Sequence, residues 1–107
     1  MTKKDLKLLA EWYKSGFVGS TIYEHILNNI ENDSNQLDML EDKMIKELGD
    51  RFVRYTVSKS KDFGWVVFTC NRHPKIKGME ERTGATGKTK NEARLNAILK
   101  YVKELKK

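Results

Sequence analysis

Cysteine, proline, histidine and long apolar runs are scarce in this chain, and each shortage closes off a class of protein. Of 107 residues one is cysteine, Cys70, so no internal disulfide can form and a disulfide-stapled secreted scaffold is excluded. The two histidines, His25 and His73, together with Cys70 are too few for a zinc site, and no short-spaced pair of ligands occurs. No run of about 18 apolar residues is present, so no membrane-spanning helix is expected. The opening Met-Thr-Lys-Lys-Asp leads into charge alternating with leucine, without the apolar core of a signal peptide. These absences predict a cytoplasmic protein with no membrane partner. No serine or cysteine nucleophile stands at recognisable spacing from a histidine. The acidic pairs Glu41-Asp42 and Glu80-Glu81 point to opposite faces if they lie in strands, or fall on a solvated helix surface. The chain reads as non-catalytic, with no cofactor and no metal.

Charge is what the chain has in quantity. Residues 1–50 hold six Lys/Arg against ten Asp/Glu, a balance of −4, and residues 51–107 hold fifteen against five, a balance of +10, which together make the net +6. A split of this sign asks for a polyanion against the C-terminal half; it also lets the two halves attract each other. The length suits one domain, with enough chain to bury roughly two-thirds of its unfolded surface. Residues 1–107 are therefore read as a single domain, acidic and helical over 1–50, basic over 51–107.

Hydrophobic spacing organises both parts. Leu6, Leu9, Ala10 and Tyr13 recur at i, i+3, i+4 and i+7, one face of a helix that Gly16 can end. Trp12 and Tyr13 belong to its packing face. A second helix is expected from Thr21, which has capping-box spacing to Glu24, with Ile22, Ile26 and Ile30 behind it. After the polar stretch 32–35, Leu37, Leu40, Met44 and Leu48 predict a third helix ending at Gly49; a kink at 32–35 in place of a break would join the two. At residue 51 the period changes to two. Val53, Tyr55 and Val57 alternate with polar neighbours as in a half-buried strand. Residues 60–64 suit a hairpin connection. Trp65 to Cys70 is the strongest strand, apolar on both faces, and Trp65, Val67 and Phe68 are expected in the core, with base stacking by Trp65 or Phe68 the lesser reading. Residues 73–78 form a loop, 79–83 a weak third strand, and Gly84 and Gly87 bracket a turn. The last helix begins after Thr89, which has capping-box spacing to Glu92, and turns Ala93, Ala97, Ile98, Tyr101, Val102 and Leu105 inward. The fold class is α+β: N-terminal helices, then a three-stranded antiparallel sheet covered by a C-terminal helix.

The chemistry-bearing segment runs from Thr83 to Arg94. Gly87-Lys88-Thr89 matches the end of a nucleotide P-loop, but Arg82 stands where that pattern needs its first glycine, and no later strand can supply a magnesium-binding aspartate. Two readings remain. As a plain capping box with solvated lysines, the run needs no ligand. As an anion site, a helix N-terminus with its partial positive charge and unpaired N–H groups is crowded by Lys88, Lys90 and Arg94 against Glu92 alone, and a phosphate relieves that crowding. Lys90 and Arg94, four apart, share a helix face and reach adjacent phosphates. Arg72, His73, Lys75 and Lys77 form a second basic group in the loop between the second and third strands, either solvated or in contact with phosphate.

The run Gly87-Lys88-Thr89-Lys90-Asn91-Glu92-Ala93-Arg94, with Ala97 beyond it, resembles the end of a double-stranded RNA-binding domain. That family has α-β-β-β-α order, and its last helix opens with a Ser-Lys-Lys-x-Ala-Lys-like motif. The resemblance implies that Lys90 and Arg94 touch backbone phosphate and that Thr89 takes the serine position. Asn91 stands in place of the middle lysine, and residues 61–64 lack the family's Gly-Pro-x-His element. Gly64-Trp65, three short strands and Thr89-Lys90-Asn91-Glu92-Ala93 are similar as well to the arm-type DNA-binding module of phage integrases. They are similar, too, to small phage-encoded proteins with a Gly-Trp strand and a closing Thr-x-x-Glu-Ala helix, many of which bind host proteins. The expected function is non-catalytic binding of duplex RNA or DNA through backbone phosphate. The expected contacts are Lys88, Thr89, Lys90, Arg94, Arg72, His73, Lys75 and Lys77. The alternative is a small phage-type protein that binds and inhibits a host protein complex.

Overall fold

The computed structural model of the protein describes residues 3–13 and 34–105. In chain order these form helix α1 (Lys3–Trp12), helix α2 (Ser34–Leu48), a 3-10 turn (Gly49–Arg51), strands β1 (Phe52–Ser60), β2 (Gly64–Arg72) and β3 (Glu80–Gly87), and helix α3 (Lys90–Leu105). The strands make one antiparallel sheet in the order β1-β2-β3, and α3 packs on it. The α+β class expected from the spacing is thus the observed one. The stop at Gly16 and the helix expected from Thr21 lie outside the described residues. Gly49 does end α2: its φ of +53° is the left-handed conformation that closes a helix without strain for glycine. Among the described residues no helix is long and apolar enough to cross a membrane.

Helix α3 is buried on two sides. Ala93 and Ala97 face the sheet and pack with Val67 and Ala85, flanked by half-buried Tyr55, Val57 and Trp65. Leu95, Ile98, Leu99 and Val102 meet Leu9 of α1 and Leu37 and Leu40 of α2 in a second cluster. Alanines toward the sheet let the helix backbone come close, while the larger side chains fill the space between helices. A reading that gives α3 one inward face finds Ala93, Ala97, Ile98 and Val102. It misses Leu95 and Leu99, and it places Leu105 inside where that residue is half exposed. A helix covered on two sides carries a wider apolar arc than a single stripe.

The closeness of α3 also corrects the expected turn at 84–87. Both glycines lie inside β3, Gly84 opposite Phe68 and Gly87 opposite Trp65, and the strand runs four residues past Thr83. They answer to packing. A Cβ on Gly87 would sit 2.5 Å from the Ala93 nitrogen and 2.9 Å from the Glu92 carbonyl carbon, so the first turn of α3 rests directly on the strand's end. A Cβ on Gly84 would meet only the Phe68 ring, at 3.6 Å. Gly87→Ala should therefore force α3 away from the sheet and destabilise by about 1–3 kcal/mol or more, while Gly84→Ala stays near neutral. Urea unfolding checks both, as a lower midpoint at unchanged slope for Gly87→Ala only. Further along α3, Asn96 Nδ2 donates to the Thr86 carbonyl at 2.9 Å and Lys100 Nζ to the Gly84 carbonyl. Two side chains one helical turn apart thereby occupy two carbonyls in the second half of β3.

Glu47 of α2 ties the three helices together. It accepts from Trp12 Nε1 at 2.9 Å and from the Tyr101 hydroxyl at 2.8 Å, and pairs with Lys43 at 3.1 Å. Partial burial raises its pKa, but the donors Trp12, Tyr101 and Lys43 outweigh that and hold the carboxyl below its ordinary value of 4.5. A carboxylate with a depressed folded pKa stabilises fully above the unfolded value, and that contribution is lost as pH falls through the folded one. Glu47→Gln should show a shallower fall in thermal midpoint than the wild type on acidification below about pH 4.5; parallel profiles would show that Glu47 does not carry this loss.

Candidate nucleic-acid interface

The antiparallel register sorts the expected contact residues into two groups at opposite ends of the sheet. Trp65, at the start of β2, pairs with Gly87, and Arg72, at its end, pairs with Glu80. Lys88, Thr89 and Lys90 follow Gly87, whereas His73, Lys75 and Lys77 follow Arg72. The length of β3, about 3.3 Å per residue and so roughly 25 Å in all, separates them. Neither group reaches the other.

The group at Lys88 is built by three elements. The β1–β2 connection is a three-residue turn, 61–63, closed by Gly64 at φ +73°. A Cβ on Gly64 would stand 2.8 Å from the Gly87 carbonyl oxygen and 3.8 Å from Lys88 Cα, so the hairpin tip lies against the approach to α3. Lys59, Trp65 and Gly87 form one row across the three strands, which sets Lys59 on this end as well, with Lys61 in the turn beside it. The hydroxyl of Thr89 accepts from the Glu92 N–H at 3.1 Å, so the cap expected from the sequence starts α3 here. Helix α2 begins at the same place: Asn91 Nδ2 donates to the Ser34 hydroxyl at 3.4 Å. Contacts then progress from Asn91–Ser34 through Arg94–Asp38 and Arg94–Glu41 to Tyr101–Glu47, so α2 and α3 run parallel. Both helices turn their positive dipole ends toward one edge. Lys59, Lys61, Lys88 and Lys90 are exposed there, and none of them enters a salt bridge among the described residues. Asp62 and Glu92 are the acids nearest in sequence. Nothing along the chain joins Lys59 and Lys61 to Lys88; only the hairpin register reveals that they adjoin it.

Arg94 leaves this surface. Its Nε and Nη2 both donate to Glu41 Oε1 and its Nη2 donates to Asp38 as well, with its side chain 9% and that of Glu41 11% exposed. The hydrogen bond to Glu41 holds the group more firmly protonated than usual; burial opposes this, and Asp38 adds to it. The four-residue spacing from Lys90 predicts a shared face, but α2 lies against that face one turn into α3 and supplies two carboxylates. Arg94 is a buried tie between the two helices. Tyr55 of β1 adjoins the same carboxylate, and burial followed by the Glu41 charge pushes its hydroxyl pKa well above the ordinary range.

At the opposite end, two of the four expected contacts are occupied in shaping the loop. Arg72 donates to the Asp50 carbonyl at 2.7 Å, and Arg51 Nε donates back to the Arg72 carbonyl at 3.0 Å. His73 Nδ1 accepts from the backbone N–H groups of Lys75 and Ile76, each at 3.0 Å, and its Nε2 faces Glu81 at 3.6 Å. Lys75 and Lys77 are exposed. Asp50, Glu80 and Glu81 stand beside these cations, and Glu80 pairs with Arg82 at 3.6 Å.

Among the described residues no group of three His, Cys, Asp or Glu side chains could hold a metal ion. No family model, curated protein or solved structure matches the chain.

Proposed function

We propose that the protein binds the phosphate backbone of duplex nucleic acid, without catalysis, through the sheet end bearing Lys59, Lys61, Lys88, Thr89 and Lys90. The observation that carries this reading is the convergence of those four exposed lysines with the N-termini of two parallel helices on one edge. Phosphate is the ligand that both features favour: lysines neutralise it as point charges, and helix N-termini offer unpaired N–H groups and positive dipoles. The α–β–β–β–α order over residues 34–105 supports the reading further, being the order that the resemblance to double-stranded RNA-binding domains implies. Contacts of this kind set position and register and carry no base sequence.

The test is binding of generic duplex RNA and duplex DNA across a salt series. With each phosphate neutralised contributing a slope of about 0.9 on B-DNA, four lysines give a log–log slope of roughly −3 to −4. Scrambling the duplex sequence should leave affinity unchanged. No affinity for either duplex at low salt would overturn the reading.

A further inference from the structure

The sheet has a second face, opposite α3, that no described residue covers. Along the strands the residues on it include Arg54 and Thr56 of β1, Phe68 and Cys70 of β2, and Arg82 and Gly84 of β3. At its centre is Phe68, 55% exposed, although so apolar a strand predicts burial. The strand is apolar on both faces, but among the described residues only one is covered. The Cδ1–Cε1 edge of the ring lies over Gly84, within ordinary van der Waals reach of where a Cβ would stand, at 3.6 Å. In the next row, about 7 Å along the strands, Arg54 and Arg82 flank Cys70 on either side. The three residues share a groove of about 400 Å³ with Glu80. Glu80 sits 3.6 Å from Arg82 and accepts from the Cys70 thiol at 3.6 Å; Arg54 has no acidic partner among the described residues.

We propose that this face is a stacking platform for an unpaired nucleobase, which lies on Phe68 while Arg54 and Arg82 take the adjoining phosphates. An exposed aromatic with flanking cations matches a single strand in both of its parts, the π-face of the base and the negative backbone. A duplex keeps its bases stacked on one another and offers nothing to the ring. The inference rests on nucleic acid being the partner, but it uses a face of the sheet separate from the lysine-bearing end.

The experiment measures binding of a short single-stranded homopyrimidine oligonucleotide and of a generic duplex to the wild type, Phe68→Ala, Phe68→Trp and Lys88→Ala/Lys90→Ala. Phe68→Ala should lower single-strand affinity by roughly five- to 150-fold, the loss of one stacked base, and leave duplex affinity within about twofold. Phe68→Trp should retain single-strand binding and add a fluorescence signal that the oligonucleotide quenches beyond the wild-type change. Because Phe68 is 55% exposed, both variants should stay folded, with midpoints close to that of the wild type. Single-strand binding that is absent, or unchanged in Phe68→Ala, overturns the proposal, as does an effect of Phe68→Ala on self-association alone. If duplex binding persists and depends on Lys88 and Lys90 in those cases, this inference fails by itself. If neither nucleic acid binds, it fails together with the function proposed above.

Discussion

Replacing Arg94 by alanine should destabilise the fold by about 3–5 kcal/mol, the range for removing one partner of a buried ion pair. The loss comes less from the missing attraction than from what remains. Glu41, with an 11% exposed side chain, loses the guanidinium that hydrogen-bonds it, and its Oε2 and the buried Tyr55 hydroxyl have no other hydrogen-bond partner among the described residues. On a domain whose whole stability is about 5–15 kcal/mol, such a change leaves a large unfolded fraction. Arg94→Lys should recover little, since one ammonium cannot reproduce the planar fork that reaches both Asp38 and Glu41. Replacing Arg94 and Glu41 together by apolar residues of similar volume should recover most of the loss, because no charge is then stranded. Denaturant unfolding of the three variants measures this. An Arg94→Ala protein as stable as the wild type but weakened in nucleic-acid binding would return Arg94 to the phosphate surface and contradict its role as a tie.

The contrast between Arg94 and its neighbours marks what could be read from the sequence. Helix spacing, the cap at Thr89 and the change of period at residue 51 depend on neighbours along the chain, and they anticipate α2, the three strands and α3. What escaped depends on partners far away. Arg94 and Lys90 look alike in a helical pattern, and only the arrival of α2 against one of them separates a buried tie from a surface cation. Gly87 looks like a turn residue because the helix backbone that needs its space lies on α3. Phe68 looks like core because alternation cannot tell whether a sheet has one cover or two. The candidate site was legible in kind, as a basic cluster at a helix start, but which side chains adjoin one another in the fold was not. Arg72 and His73 are taken up by loop contacts, and Lys59 and Lys61 join only through the strand register.

The second large effect concerns those lysines directly. In Lys61→Ala/Lys88→Ala/Lys90→Ala, three cations leave one edge of the sheet, all of them exposed, so stability should stay close to that of the wild type. Binding should not. Three phosphate contacts release about 2.7 counterions on B-DNA, so affinity at about 0.05 M salt should fall roughly a hundredfold to a thousandfold. The loss should be the same for every duplex sequence. Lys75→Ala/Lys77→Ala, at the far end of the sheet, is the matched control with two exposed cations removed. The salt dependence of duplex binding for these two variants beside the wild type is the most direct test of where the protein holds phosphate. The lysine triple variant should lose about 2.7 from the log–log slope, and the loop variant should keep the wild-type slope. A triple variant with an unchanged slope, or a loop variant with the shallower one, would contradict the placement of the interface at the hairpin and the paired helix starts.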